Sequence, residues 1–526
     1  MAFAALAVLA PFFFLGVPSG HDLEFHLNSW MEVVAQWRQG IWYPHWAALA
    51  HYGYGEARFI FYPPTSWLLG ALLGSMLPWK YVAGAYVWVV LCISGYSMFL
   101  LAREWLSRNQ AIAAAVFYIV SPYTIVLIYW RSAFAELLAG ALIPVLALVI
   151  FRASGKSLAL ALPLSLVIAA VWLTNVPSAV MVNYSAVMLL LAIAFFRRSP
   201  GVLAGGAAGI VLGTLLASFY LFPAYYEQRW VDVGEALSEG YRPQDNFLFV
   251  ATADLSHMQF NHFISVVAVG EIIALVIAGS ILFWQIKNKF PEFTVLAIWG
   301  GVLSLVMFSV SSIFWHLPEL RFMQFPWRWL LCLNVPLAIF IGKAWRSWIP
   351  RVIFYLLLLG AIYYASGKAA PPWWEQASDI ADMLHSQTRG AGYEGADEYA
   401  PASADSSQLK PDAPNVLYEG NGTAQIRVTQ WAAERKVIQV TAGQPGKLTL
   451  HLFDYPAWRV NLDNKVALAK DGNGGQMQVP IPAGNSDIRI QFGSTWDRRA
   501  GEIVTLLTAA FIALLALKRR SIWRMS

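Results

Sequence analysis

The side chains best suited to chemistry fall in three stretches. The first is Gly20-His-Asp-Leu-Glu-Phe-His26, directly after an apolar run. Asp22 and His26 are four residues apart, so one face of a helix presents both. Asp22 and Glu24 suit general-base work or metal ligation. The plainer reading is a solvated loop in which Asp22 caps a helix. The second stretch is Trp315-His-Leu-Pro-Glu-Leu-Arg-Phe-Met-Gln-Phe-Pro-Trp-Arg328. Arg321 and Arg328 are framed there by Phe322, Phe325, Trp327 and Trp329, and arginine is a good bidentate phosphate clamp. An aromatic belt with arginines reaching to a membrane surface is the plainer alternative. The third is Arg131 and Glu136, five apart around a short turn, whose simpler role is an ion pair holding a helix bundle.

The elements that carry these residues follow from composition. The chain has 526 residues, 58% hydrophobic and only 13% charged, where soluble proteins average about 25% charged. That excludes a purely soluble enzyme. Between Gly367 and Ala500 lie 28 of the 67 charged residues, and the other 392 residues carry 39. The pattern is that of a polytopic α-helical membrane protein with one soluble domain near its C-terminus. A net charge of +5, carried by basic residues set singly or in pairs, points to no nucleic-acid partner. The two cysteines, Cys92 and Cys332, sit in apolar runs and rule out a disulfide framework or a CxxC metal site. There is no P-loop, dinucleotide fingerprint or GxSxG motif, which argues against an ATP-driven pump or a serine hydrolase.

Apolar runs long enough to cross a bilayer cover 2–18, 81–102, 111–129, 133–151, 158–173, 178–196, 202–222, 263–286, 293–309, 327–344, 352–366 and 503–517. The run 63–77 is short and bounded by prolines, which predicts a re-entrant or interfacial helix. With the N-terminus cytoplasmic, the inside segments hold 15 basic residues against Glu104 and Glu292, and the outer loops hold 8 basic and 12 acidic. This asymmetry predicts about twelve crossings with both termini inside. It divides the chain into a transmembrane domain over 1–366 with a first extracytoplasmic loop at 19–62, an extracytoplasmic region over 367–500, and a last span with a basic tail over 501–526. Leu23, Leu27, Trp30, Val34 and Trp37 recur at helical spacing, which predicts an amphipathic helix on the membrane face. The segment Ala369 to Pro414 reads as an extended linker. From Thr423 the apolar residues alternate with period two between Gly and Asn-Gly turns, which predicts a small β-sandwich. Trp431, Tyr455, Trp458 and Trp496 are either its core or an aromatic stacking surface.

The order Gly20-His-Asp22, His26, Gly40-Ile-Trp-Tyr-Pro-His-Trp46, Gly53-Tyr-Gly55 and Phe61-Tyr-Pro-Pro64 resembles bacterial membrane proteins of the GT-C glycosyltransferase superfamily. It is closer still to the membrane family labelled 6-pyruvoyl-tetrahydropterin synthase-related and to the YfhO-like proteins. Arg131-Ser-Ala-Phe-Ala-Glu136, Gln324-Phe-Pro-Trp-Arg328 and Glu398-Tyr-Ala-Pro401 fit the same resemblance. It implies a GT-C-like fold in the bacterial cytoplasmic membrane and transfer of a sugar from a polyprenyl-phosphate donor to a glycan, lipid or protein acceptor outside the membrane. Asp22 sits where that superfamily has its acidic catalytic residue, with Glu24 beside it. His21, His26, Arg131, Glu136, Arg321, Gln324 and Arg328 are then the substrate-binding set. Asp22-Leu-Glu24 is DxE rather than Asp-Asp or DxD; a divalent cation, Mg or Mn, would use these two residues. The zinc-histidine pattern of the soluble pterin synthase is missing. The alternative is a non-catalytic member of the fold that binds or transports lipid-linked glycan precursors.

Overall fold

The computed structural model describes residues 1–153, 157–286, 291–344, 352, 356, 360 and 374–525. Among them, seven helices are long and apolar enough to cross a membrane: Trp79–Ala102, Arg108–Tyr129, Phe134–Phe151, Val176–Phe196, Leu255–Gln285, Pro326–Ala344 and Trp496–Leu517. Two bent pairs bring the number to nine. Gly201–Leu216 meets Ser218–Trp230 at 70°, and Pro291–Leu305 meets Ser309–His316 at 97°. A shorter apolar helix covers Ala159–Trp172. The expected span 352–366 and the basic residues Lys156, Lys287, Lys289, Arg346 and Arg351 lie outside the described residues, three isolated positions of that span excepted.

The first expected span is not one helix. Ala2–Val8 and Phe12–Leu15 are separated by Leu9-Ala10-Pro11, and Gly16 at φ 98° ends the second piece. Proline has no N–H to continue a helix, and seven residues rise only about 10 Å of the roughly 30 Å core. Pro64–Met76 has thirteen residues, about 20 Å. It lies between the helices Leu23–Arg38 and Trp79–Ala102, with Gly70 so tight on the Trp30 ring that no Cβ fits.

Leu23–Arg38 is helical as its periodicity predicts, with Leu23, Leu27 and Trp30 fully buried. The supposed linker also contains a helix, Ala377–Thr388, begun by a reciprocal Gln376–Asp379 capping box. Gln387 Nε2 of that helix donates to Asn28 Oδ1 at 2.8 Å, which ties it to Leu23–Arg38.

The C-terminal region forms two antiparallel sheets. One runs in the order 416–420, 446–453, 476–481 and 470–471; the other runs 424–432, 435–442, 484–492, 458–462 and 465–467. The period-two pattern turns Ile438, Val440, Ile488 and Ile490 of one sheet and Leu448, Leu450, Met477 and Val479 of the other into a shared apolar core. Tyr455 and Trp458 belong to that core and close around Trp46 of the first loop. Trp496 instead is exposed, edge-on to Tyr226. Lys436 is buried, donating from Nζ to Ala432 O (2.7 Å) and Ala433 O (2.8 Å), with Trp458 4.7 Å away. Glu227, at the end of the bent pair, takes a bidentate bond from Arg498 (2.7 and 2.8 Å) and one from the Tyr455 hydroxyl (2.7 Å). The sheets, the first loop and the 223–262 loop thus meet at one end of the helix bundle.

Candidate functional site

Backbone bonds between residues 18–22 and the turn 130–132 place Asp22 beside Arg131. Asp22 N–H donates to Arg131 O (2.9 Å), His21 N–H to Trp130 O (3.3 Å), and Gly20 N–H to Ser132 Oγ (3.2 Å). A Cβ on Gly20 would stand 2.5 Å from the Ser132 nitrogen and 2.6 Å from the Arg131 carbonyl carbon. The segments approach this closely because residue 20 has no side chain.

Asp22 precedes the helix Leu23–Arg38, yet its side chain makes no capping bond. It is half-buried, and among the described residues its carboxylate has no hydrogen-bond partner. Arg131, Glu136 and Arg328 are all buried. Glu136 accepts from Arg131 Nη1 at 2.5 Å and from the Tyr123 hydroxyl at 2.5 Å, and Arg328 Nε is 3.3 Å from the oxygen that Arg131 holds. Arg328 Nη1 donates to Met323 O (2.6 Å) and Gln324 Oε1 (3.3 Å). Phe325 and Trp327 are stacked at 4.8 Å; Arg131 stands 5.0 Å from the Trp327 ring and Arg328 4.7 Å from Phe325. Two buried guanidiniums therefore share one buried carboxylate. Asp22, within electrostatic range of both, is the second negative charge.

The sequence reading missed the continuation of this wall. Tyr62 lies 4.8 Å ring to ring from Phe25, and Phe25 lies 6.2 Å from Tyr399. Burial pushes the Tyr62 phenol well above its ordinary value, and the Asp22 charge adds to that. Next to Tyr399 in the chain, Glu398 is raised, by burial first and by the Glu56 charge among its neighbours. Both tyrosines lie in stretches that carried the resemblance, which was the available signal.

A second buried network braces the first loop against the former linker. Arg58 donates to Glu56 at 2.5 Å and to Ser29 at 2.8 Å, and His51 Nε2 is 3.1 Å from Glu56. The Tyr393 hydroxyl donates to Glu32 at 2.6 Å. Burial pushes Glu32 up to about 7 despite that bond. Glu56 and Arg58 frame the end of the Gly53-Tyr-Gly55 stretch, but nothing local names Tyr393 as partner.

The other expected residues fall elsewhere. His26 is buried in the apolar core, 5.3 Å from Phe134 and 5.7 Å from Trp30; burial, then Arg58, brings its imidazole down to about 3, so it is neutral. His21 is exposed, 5.2 Å edge-on to Phe260, and partial burial lowers it, with Arg131 and His257 acting the same way against Asp22. Glu24 is exposed and faces Glu375 and Glu394; burial, then those charges, raises it. Gln324 is at φ 63°, and its Nε2 donates to Ala236 O at 2.8 Å, tying the 223–262 loop to Arg328. Arg321 is exposed and lines a separate cavity.

The residues present do not fit a divalent cation at Asp22. Glu24 turns to other acids, two guanidiniums flank Asp22, and among the described residues no group of three His, Cys, Asp or Glu side chains converges. Asp22 and Glu24 therefore do not converge as the carboxylate pair that would hold a water-coordinated cation.

Fold and site together define a polytopic membrane protein in which buried Arg131, Glu136 and Arg328 cluster beside Asp22 at the ends of its helices. Residues 59–370, more than half of the chain, match the family described as "6-pyruvoyl-tetrahydropterin synthase related domain; membrane protein", and the chain belongs to that family. No curated protein matches. Among solved structures, arabinofuranosyltransferase AftD from Mycobacteria is similar at 16% identity and TM-score 0.39, over 74% of this chain and 26% of that one. The Archaeoglobus fulgidus oligosaccharyltransferase is similar in its complex with Zn and sulfate (13%, TM-score 0.37, 75% and 53%) and in its apo form (12%, TM-score 0.40, 74% and 54%). The chain thus spans about a quarter to a half of the length of these structures.

Proposed function

We propose that this chain is a GT-C-like membrane glycosyltransferase of the bacterial cytoplasmic membrane, moving a sugar from a polyprenyl-phosphate-linked donor to an extracytoplasmic glycan, lipid or protein. One observation carries the reading: Asp22, whose carboxylate has no hydrogen-bond partner among the described residues, stands beside two buried guanidiniums, Arg131 and Arg328, that share the carboxylate Glu136. Asp22 takes the proton of the acceptor hydroxyl. The oxygen attacks the anomeric carbon, and the bond from that carbon to the phosphate oxygen breaks with its electron pair leaving on the lipid phosphate. Once Asp22 is protonated, Glu136 balances only one of the two arginines, and the other faces the new phosphate charge in a water-poor site. Phe325 and Trp327 hold the guanidinium planes, and Gly20 holds Asp22 in reach. Tyr62 and Tyr399 are the sugar-facing wall. His26, Glu24 and Arg321 have no part in the step. Mass spectrometry of envelope glycans tests this: a deletion strain lacks one sugar modification, the wild-type gene restores it, and the Asp22→Asn gene does not. Restoration by Asp22→Asn would refute the assignment.

A further inference from the structure

Arg321 and Arg328 are one short stretch apart but serve different spaces. Glu319 and Gln324 both adopt positive φ (61° and 63°); beyond this turn Arg328 reaches Glu136, whereas Arg321 within it lines a separate cavity. There the turn 243–247 and the segment 312–322 enclose a cavity of about 530 Å³, with Gln244, Trp315, His316, Glu319, Arg321 and Phe322 among its walls. Its frame is fixed. Trp315 donates from Nε1 to Val306 O (3.2 Å) and sets its ring edge-on to Phe247 at 5.8 Å, and the Tyr184 hydroxyl donates to Pro318 O (3.0 Å).

Two observations identify the ligand. Arg321 makes no ion pair or side-chain hydrogen bond among the described residues, and its guanidinium lies 4.7 Å from the Phe322 ring. A planar fork of free donors matches a phosphate. The segment Ser309–His316 crosses the end of its span at 97°, and Val310, Ile313 and Phe314 are 79%, 72% and 56% exposed. Apolar side chains displayed at the end of a span lie in the lipid interface. Ser312, Trp315 and His316 of this segment line the cavity while its Val310, Ile313 and Phe314 are exposed outside the cavity wall. A cation in a cavity with exposed apolar side chains on the adjoining segment is an arrangement that a phosphate ester with acyl chains fits, and the volume is within the roughly 300–1,000 Å³ of small-molecule sites. We infer that this cavity binds the phosphate headgroup of a glycerophospholipid, with the acyl chains along Val310, Ile313 and Phe314. The inference is independent of the proposed transfer, because the cavity shares no wall with Asp22, Arg131 or Glu136.

The test is lipid retention by the full-length protein in detergent, read by native mass spectrometry with phosphatidylglycerol, dioleoylglycerol and inorganic phosphate as separate probes. Phosphatidylglycerol is expected to bind at least tenfold more tightly than dioleoylglycerol or phosphate. Arg321→Ala and the cavity-filling Ser312→Trp should each weaken it at least tenfold, and Asp22→Asn should leave it unchanged. Undiminished phosphatidylglycerol binding by both cavity variants would overturn the inference, as would equally tight binding of dioleoylglycerol or of inorganic phosphate. Lipid binding that survives Asp22→Asn while transfer is lost, or transfer that survives Arg321→Ala while lipid binding is lost, separates this inference from the proposed function.

Discussion

Glu136→Gln is the most informative stability perturbation. Glu136 is 2% exposed and holds Arg131, Tyr123 and Arg328 at 2.5, 2.5 and 3.3 Å. Replacing it by the neutral isostere leaves two buried guanidiniums facing each other with only Asp22 nearby. Removing one partner of a buried ion pair costs about 3–5 kcal/mol, because the remaining charge is left uncompensated. Tyr123→Phe, which deletes one neutral donor to the same carboxylate, should cost about 1–3 kcal/mol. Adding Arg131→Met to Glu136→Gln removes one of the two stranded charges, so the double variant should be more stable than Glu136→Gln alone, a coupling that a double-mutant cycle isolates. Thermal unfolding in detergent can be followed with a thiol-reactive dye, since Cys332 is fully buried in the bundle and reacts when the bundle opens. A Glu136→Gln protein within about 1 kcal/mol of wild type, or a double variant less stable than Glu136→Gln, would refute the shared-carboxylate account.

Gly20→Ala should fold with the 18–22 segment displaced from the 130–132 turn, and it should lower the rate constant of transfer more than donor affinity; an unchanged rate in the reconstituted enzyme would show that the close approach is not needed. His26 is brought down to about 3 from 6.5, so the folded protein binds fewer protons than the unfolded chain between those values, and stability is lost as pH falls from about 6.5 toward 3. The limiting loss is about 5 kcal/mol, and His26→Phe should flatten the profile measured by unfolding at stepped pH. Lys436, pushed down to about 7 by burial, is neutral in the fold well below its ordinary range, so stability should rise as pH rises from about 7 toward 10.5. In Lys436→Met that rise should be missing from thermal unfolding curves.

The membrane class and the alternating C-terminal strands were legible because burial imposes period and length on apolar residues. Asp22, Arg131, Glu136 and Arg328 were legible for the converse reason, since ionisable groups at the ends of apolar runs are costly and stand out. Direction was not legible. Arg321 and Arg328 share an aromatic context, and positive φ at Glu319 and Gln324, two non-glycine residues, sends them to different spaces. Asp22 and Glu24 read as a pair, but Glu24 faces Glu375 and Glu394, more than 350 residues away. The Glu32–Tyr393 bond likewise joins residues 361 apart. Pro11 was visible in the first apolar run, and its helix-breaking effect outweighs the run's hydropathy.

The central claim is that the Asp22 carboxylate is the base beside a two-arginine phosphate site. Its most direct test is sugar transfer from a radiolabelled undecaprenyl-phosphate-linked donor by the purified protein in liposomes. Because the Asp22 side chain makes no hydrogen bond among the described residues, Asp22→Asn should fold and bind donor as wild type does while its transfer rate falls about 10²–10⁴-fold. Transfer at the wild-type rate by Asp22→Asn would contradict the account.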